Sequence, residues 1–199
     1  MESQENRPLL ERCRSLSTGD ATPGPALMRS VLNVGDLTDD EIAALGRADT
    51  SKPYGRRVLF ATDQLEGMLA TWTRGVPCRP HDHGGSFGAV RVLRGVSHHK
   101  IWKVVDGELT CVHEEFVEPG GVMACGRDVI HSMGDAGRED SLVTLHLYHD
   151  AIDHMVVYDQ DAGTTYVVEG NCGAWIPTDE PELIRSTHEG IVAPKHLLK

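Results

Sequence analysis

The rhythm of apolar and polar positions changes near residue 56. Before it the chain is mostly polar and is interrupted by Gly19, Pro23, Gly24 and Pro25. Two helical patterns stand out there. One covers 8–16. The other covers 37–46, where Thr38 and Glu41 have capping-box spacing, acidic residues fill the first turn and Gly46 supplies a stop. The remainder of 1–30 reads as partly helical or disordered. From Arg56 onward, short runs rich in β-branched and aromatic residues recur between turn signals, at 68–73, 89–93, 97–105, 109–117, 142–148, 155–158 and 165–168. Asp106-Gly107 separates two of them as a tight hairpin turn. Many short strands at this spacing predict a mainly β fold, a sandwich or a barrel-like jelly roll, with short N-terminal helices. The division expected is an extension over 1–36, a β domain with a leading helix over 37–177, and a charged tail over 178–199 with a helix near 181–186.

Length and composition narrow the function. A chain of 199 residues with 40% hydrophobic residues suits one domain with a real core. The net charge of −11 argues against partnership with nucleic acid or an anionic membrane surface. No run reaches the ~18 apolar residues of a membrane span, and the polar, acidic start is unlike a signal peptide. The five cysteines, Cys13, Cys78, Cys111, Cys125 and Cys172, form no C-x-x-C pair. Free thiols in a reducing cytoplasm are the expectation. Cys78 and Cys125 lie close to candidate ligands in sequence but read as ordinary buried or half-buried thiols.

The chemistry concentrates at His81-Asp82-His83 and at His131. Imidazoles at i and i+2 project from one face of a strand, so His81 and His83 can share an ion, with His131 arriving from another strand. Asp82 should point the other way and has no metal role. Three neutral nitrogens on one side of an ion leave positions open for ligands. The glycines around the pair sharpen the signal. Gly75, five residues, His81-x-His83, then Gly88 and Gly95 resemble the first motif of the cupins, except that Gly88 stands near the place of that motif's metal-binding Glu. The second motif is looser, with Gly120 at its start and His131 as its ligand. Without the Glu, the ion keeps its full double charge and favours an anionic ligand such as a thiolate. Imidazoles alone do not choose among Fe, Cu, Ni and Zn.

Two further stretches bear on the same pocket. In Thr144-Leu-His146-Leu-Tyr148, alternation puts the hydroxyl, the imidazole and the phenol on one strand face, where they can bond in series. In Tyr54-Gly-Arg56, the Arg offers a planar fork for a carboxylate, while Arg57 should face away. Together with His-Asp-His-Gly at 81–84, Ile-His at 130–131 and Tyr-Asp-Gln at 158–160, these stretches resemble cysteine dioxygenase and the wider thiol dioxygenase family. They occur in family order over about 50–177.

The resemblance implies a mononuclear non-haem Fe(II) on His81, His83 and His131. It implies a small thiol substrate, bound through sulfur, whose carboxylate is held by Arg56. Both atoms of O2 end on sulfur, giving a sulfinic acid. Thr144, His146 and Tyr148 are the implied relay, with Thr144 where the family has Ser, and Tyr54 and Met155 are implied pocket residues. The cysteine that some members link to the relay Tyr falls at Gly88, so Tyr148 is expected to be an unmodified phenol. L-cysteine is the first substrate expected; 3-mercaptopropionate, mercaptosuccinate and a biosynthetic variant are the alternatives within that chemistry. Outside it stand a cupin isomerase or lyase with another metal, and a non-enzymatic ligand-binding cupin. Ser86 and Phe87 are further pocket candidates, and His149 and His154 read as surface or loop residues. The oligomeric state is left open.

Overall fold

The computed structural model describes residues 9–16, 24–33, 38–44 and 52–197. Three short helices precede the strands: α1 (Leu9–Ser15), α2 (Pro25–Leu32) and α3 (Asp39–Ala44). The strands are β1 (Tyr54–Ala61), β2 (Glu66–Trp72), β3 (Phe87–Arg94), β4 (Ser97–Val105), β5 (Glu108–Val117), β6 (Val122–Cys125), β7 (Ile130–Asp135), β8 (Val143–His149), β9 (His154–Asp159), β10 (Thr164–Glu169) and β11 (Ile184–Glu189).

One sheet has the order β1-β2-β8-β3-β6 and another β5-β4-β7. Between β7 and β9, the residue His81 forms single antiparallel bridges to His131 and Val157. It thereby joins the three strands β9-β10-β11 to the second sheet. Counting β2, the His81 segment and β3 to β8 as consecutive strands, the two sheets interleave in the double Greek-key order of a jelly roll. The expected mainly β, cupin-type jelly roll with short N-terminal helices is borne out.

Alternation decides what faces inward. Ala70 and Trp72 of β2, Val90 and Val92 of β3, and Met133 of β7 share one core cluster with Tyr54 and Leu142. The opposite faces of β3 and β8 (Phe87, Ala89, Leu145, Leu147) pack instead under the helices with Met28, Leu32 and Cys13. Helix α2 was not resolved by the sequence pattern. It starts at Pro25 and buries Met28 and Leu32 completely. Two side chains of that size contribute about 1.5–3 kcal/mol each by burial, enough to order a segment flanked by Gly and Pro. Helix α3 lies inside the expected 37–46, with the Ile42 amide donating to the Thr38 carbonyl at 2.9 Å. Leu37 and the proposed stop at Gly46 are outside the described residues.

Three expectations change. His81 and His83 do not lie in a regular strand: only His81 pairs, and it does so one residue at a time. The helix expected at 181–186 is a single 3-10 turn, Pro181–Leu183, followed by β11, which pairs with β10. The β-branched Ile184 and Thr187 suit a strand, and the only helix-like signal was the proline start. His149 is buried and stacks on Phe87 at 5.0 Å between ring centres. The Asp106-Gly107 turn is as expected, with both residues at positive φ, 51° and 83°, between Val105 and Glu108. Among the described residues no helix is long and apolar enough to cross a membrane.

Candidate metal centre

The three histidines expected to act as ligands converge. One ring nitrogen from each of His81, His83 and His131 lies within 4.8 Å of the others, and all three residues are buried. The Nε2 atoms of His83 and His131 are 3.2 Å apart. Two nitrogens about 2.0–2.1 Å from a shared ion lie about 2.9–3.4 Å apart at angles between octahedral and tetrahedral. The observed separation fits that range.

The hydrogen bonds say which nitrogen each ring offers. His81 Nδ1 lies 2.9 Å from the Arg79 carbonyl, which can only accept, so Nδ1 carries the proton and Nε2 is free to ligate. His131 Nδ1 is 3.1 Å from His99 Nε2, leaving its own Nε2 toward His83. His83 Nδ1 is buried without a partner, and its Nε2 faces both His131 and the Tyr148 hydroxyl. Burial pushes His81 down to about 4, and burial followed by the neighbouring imidazoles holds His83 and His131 well below the ordinary histidine range. Three neutral imidazoles with converging lone pairs could hold a cation, and the donor set suits Fe, Cu, Ni or Zn.

The local chain explains the convergence. The His81 amide donates to the His131 carbonyl and the His131 amide to the His81 carbonyl, both at 2.9 Å. Asp82, fully buried, turns away from the rings. Its Oδ1 accepts from the Val156 amide at 2.8 Å and from Gly84 at 3.1 Å, pinning the segment to β9. Gly84 is at positive φ, and a Cβ there would lie 2.1 Å from the His154 carbonyl oxygen, so only glycine allows the approach.

A line of polar groups runs down β8. The Trp72 indole N–H donates to Thr144 Oγ1 at 2.9 Å, Thr144 Oγ1 is 2.7 Å from His146 Nε2, and His146 Nδ1 is 2.9 Å from the Tyr148 hydroxyl. Tyr148 ends 3.3 Å from His83 Nε2. Burial lowers His146 to about 3 and raises Tyr148 well above the usual phenol range, so the ring is neutral and the phenol protonated. Trp72 fills one acceptor site of the threonine hydroxyl, leaving its proton for His146.

Gly88 stands directly across from Tyr148 in the β3–β8 pairing. A Cβ at Gly88 would lie 2.4 Å from the Leu147 carbonyl oxygen and 2.6 Å from Tyr148 Cδ1. The tyrosine ring therefore occupies the space that a side chain at position 88 would need.

A cavity of about 20 Å³, the space of about one water molecule, lies against these groups. Its wall includes all three histidines, His146 and Tyr148, together with Tyr54, Arg56 and Met155. Thr144 is not part of the wall and reaches it through His146. Tyr54 is held in place by the Ala174 amide, which donates to its hydroxyl at 3.0 Å, and by ring contacts to Trp72 and Trp175. Arg56 donates to the Gly170 carbonyl at 2.6 Å and to Glu66 at 2.7 Å, while its Nε–H is buried without an acceptor. Ser86 and Phe87 are buried but do not line the cavity. Cys78 and Cys125 are buried thiols raised by desolvation to about 12, as expected of inert cysteines.

Sequence reasoning missed Trp72, Glu66, His99 and Glu115. Period-two alternation from Met68 carries Trp72 to the inner face and so was a usable signal. The others depend on strand register.

No family model matches the chain. Solved structures resemble it at low identity. A putative sugar phosphate isomerase from Acidithiobacillus ferrooxidans is 17% identical with a TM-score of 0.49, covering 67% of this chain and 86% of its own. KdgF from Halomonas sp. is 18% identical with a TM-score of 0.44, covering 58% of this chain and 94% of its own. An oxalate oxidase in complex with glycolate is 15% identical with a TM-score of 0.46, covering 56% of this chain and 59% of its own.

Proposed function

We propose that this protein is an iron(II)-dependent thiol dioxygenase acting on a small carboxylated thiol, with L-cysteine the first substrate to test. The observation that carries the proposal is the hydrogen-bonded line Trp72–Thr144–His146–Tyr148, which ends beside His83 in a cavity that Arg56 also lines. A site that only stores an ion has no need of it. A reaction that orients two small molecules beside an ion does.

Iron(II) on His81, His83 and His131 would supply the redox chemistry that joins O2 to a thiol sulfur, both oxygen atoms ending on that sulfur without an external reductant. The chain's own residues do the rest. Three neutral imidazoles leave the ion's charge unbalanced, which draws in a thiolate. Thr144 donates to His146 Nε2, so His146 carries its proton on Nδ1 and presents it to the Tyr148 oxygen. The Tyr148 proton is then directed toward the cavity, where it holds a bound ligand in one orientation.

Arg56 binds the carboxylate. A guanidinium has five N–H donors; Gly170 and Glu66 each accept one, and the buried Nε–H lacks an acceptor that a substrate carboxylate supplies. Because Glu66 balances the arginine charge, affinity comes from directed hydrogen bonds more than from unpaired charge. Tyr54 and Met155 shape the wall and exclude water.

Metal analysis with an oxygen electrode and a panel of thiols tests the proposal. Bound iron and thiol-dependent uptake yielding a sulfinate are expected, and His131→Ala should lose both. Zinc or nickel without uptake favours isomerase or lyase chemistry. Absence of bound metal favours a ligand-binding protein.

A further inference from the structure

The strand neighbours of the metal centre continue the hydrogen bonding outward. His99 on β4 is buried at 3% exposure, and its Nε2 meets His131 Nδ1 at 3.1 Å. On its other side, His99 Nδ1 meets Glu115 Oε1 of β5, also at 3.1 Å. Glu115 is 41% exposed, so the line runs from solvent to a ligand. β5, β4 and β7 are adjacent in the sheet, and Glu115 is the direct cross-strand partner of His99.

We propose that Glu115 and His99 are positioning residues that fix the tautomer and ring angle of His131 and so strengthen metal binding. The proposal rests on His131 being a ligand, as read above. The direction of every proton follows from the outer end. A carboxylate can only accept, so His99 carries its proton on Nδ1. Its Nε2 is then a lone pair and accepts from His131 Nδ1–H. His131 is left with a lone pair on Nε2, the atom that faces His83 Nε2 at 3.2 Å. A single surface carboxylate thus selects, through a buried imidazole, which nitrogen reaches the ion. Ligating histidines whose second nitrogen is anchored in this way bind metal more tightly. His81 has a backbone carbonyl in that role. His131 is the ligand whose anchor is a side-chain relay, and so the one a surface substitution can reach.

Register makes the relay. Along the β4–β5 hairpin the pairing from the turn outward is regular as far as Trp102 and Cys111, and then shifts by one residue. Without that bulge Glu114 would stand across from His99. With it, Glu115 does, while Glu114 pairs with His98 and Lys100.

The test uses the metal-free full chain and cobalt(II) as the probe. Chelator competition should show His99→Ala binding cobalt about 10–100-fold more weakly than the parent. His99→Gln, whose carboxamide oxygen can accept from His131, should recover part of that loss. Glu115→Gln, a surface change that keeps an acceptor without the charge, should give a smaller loss. Nitrogen-15 NMR of the metal-free histidines should show His131 protonated on Nδ1 in the parent and no longer uniformly so in His99→Ala. An unshifted tautomer with unchanged cobalt affinity in His99→Ala overturns the relay. If the parent binds no cobalt, the metal assignment fails, and the NMR measurement alone still decides whether His99 sets the His131 tautomer.

Discussion

Gly88→Ala is a one-methyl perturbation whose outcome follows from the packing around position 88. The added carbon would lie 2.4 Å from a backbone oxygen and 2.6 Å from Tyr148 Cδ1. The carbonyl is backbone of the central strand β8 and cannot swing aside, so β3 and β8 must part locally as well as the ring giving way. Reaching an ordinary contact of 3.4 Å requires the ring to retreat about 0.8 Å. Overpacking of this kind costs about 1–3 kcal/mol, and the lower backbone entropy of alanine returns about 0.5–1 kcal/mol. With a backbone oxygen as one obstacle the cost lies at the upper end of that range, and the net loss of about 2 kcal/mol lowers Tm by about 4–8 °C in a chain of this size. The larger effect is on Tyr148, which leaves hydrogen-bond reach of His146 and His83. A displacement near 1 Å at a positioned group costs on the order of 100-fold in rate. Thermal unfolding, iron content and thiol-dependent oxygen uptake separate the effects: Tm falls modestly, iron is retained and kcat collapses. A variant with parental Tm and parental kcat would show that position 88 does not constrain the ring.

Tyr148→Phe keeps the ring and removes the hydroxyl, so kcat should fall more than affinity; steady-state kinetics showing a parental rate would remove Tyr148 from the chemistry. Arg56→Ala leaves Glu66 buried without its partner at a cost of about 3–5 kcal/mol, visible in urea unfolding, and Glu66→Gln in the same chain should recover most of it. Its KM for a carboxylated thiol should rise steeply, and an unchanged KM would exclude Arg56 from carboxylate binding. The metal-free protein should lose stability in acid. The buried His81 takes its proton only near pH 4, whereas an unfolded histidine does so near 6.5. The unfolded state therefore binds more protons as pH falls from about 6.5 to 4, removing about 3 kcal/mol from this group alone. Urea midpoints that stay flat across that window would contradict the burial of the ring.

Much of this was legible from residue order. Strict alternation put Thr144, His146 and Tyr148 on one face, and the glycine frame around His81 and His83 pointed to the centre where His131 joins them. What escaped notice depended on packing between distant segments. Pro25 to Leu32 is an unremarkable helix by propensity, and its order comes from Met28 and Leu32 docking on β3 and β8. The final strand was hidden because Pro181 imitates a helix start, while β10 supplies a partner that no local pattern announces. Glu115 was concealed by one bulge: counting back from the Asp106-Gly107 turn selects its neighbour. Glu66 was invisible because its significance lies in a guanidinium ten positions away.

His81 hangs between two neighbours by single-residue bridges, one to His131 and one to Val157. The Asp82 amide donates to Val156 and the Tyr158 amide to Pro80, so the C-terminal hairpin grips both flanks of this residue. Trimming that hairpin would therefore do more than shorten the protein. It would unclasp the first imidazole of the trio, and a shortened version ending before residue 154 should fold its remaining sheets around an ion site that has lost its hinge pin.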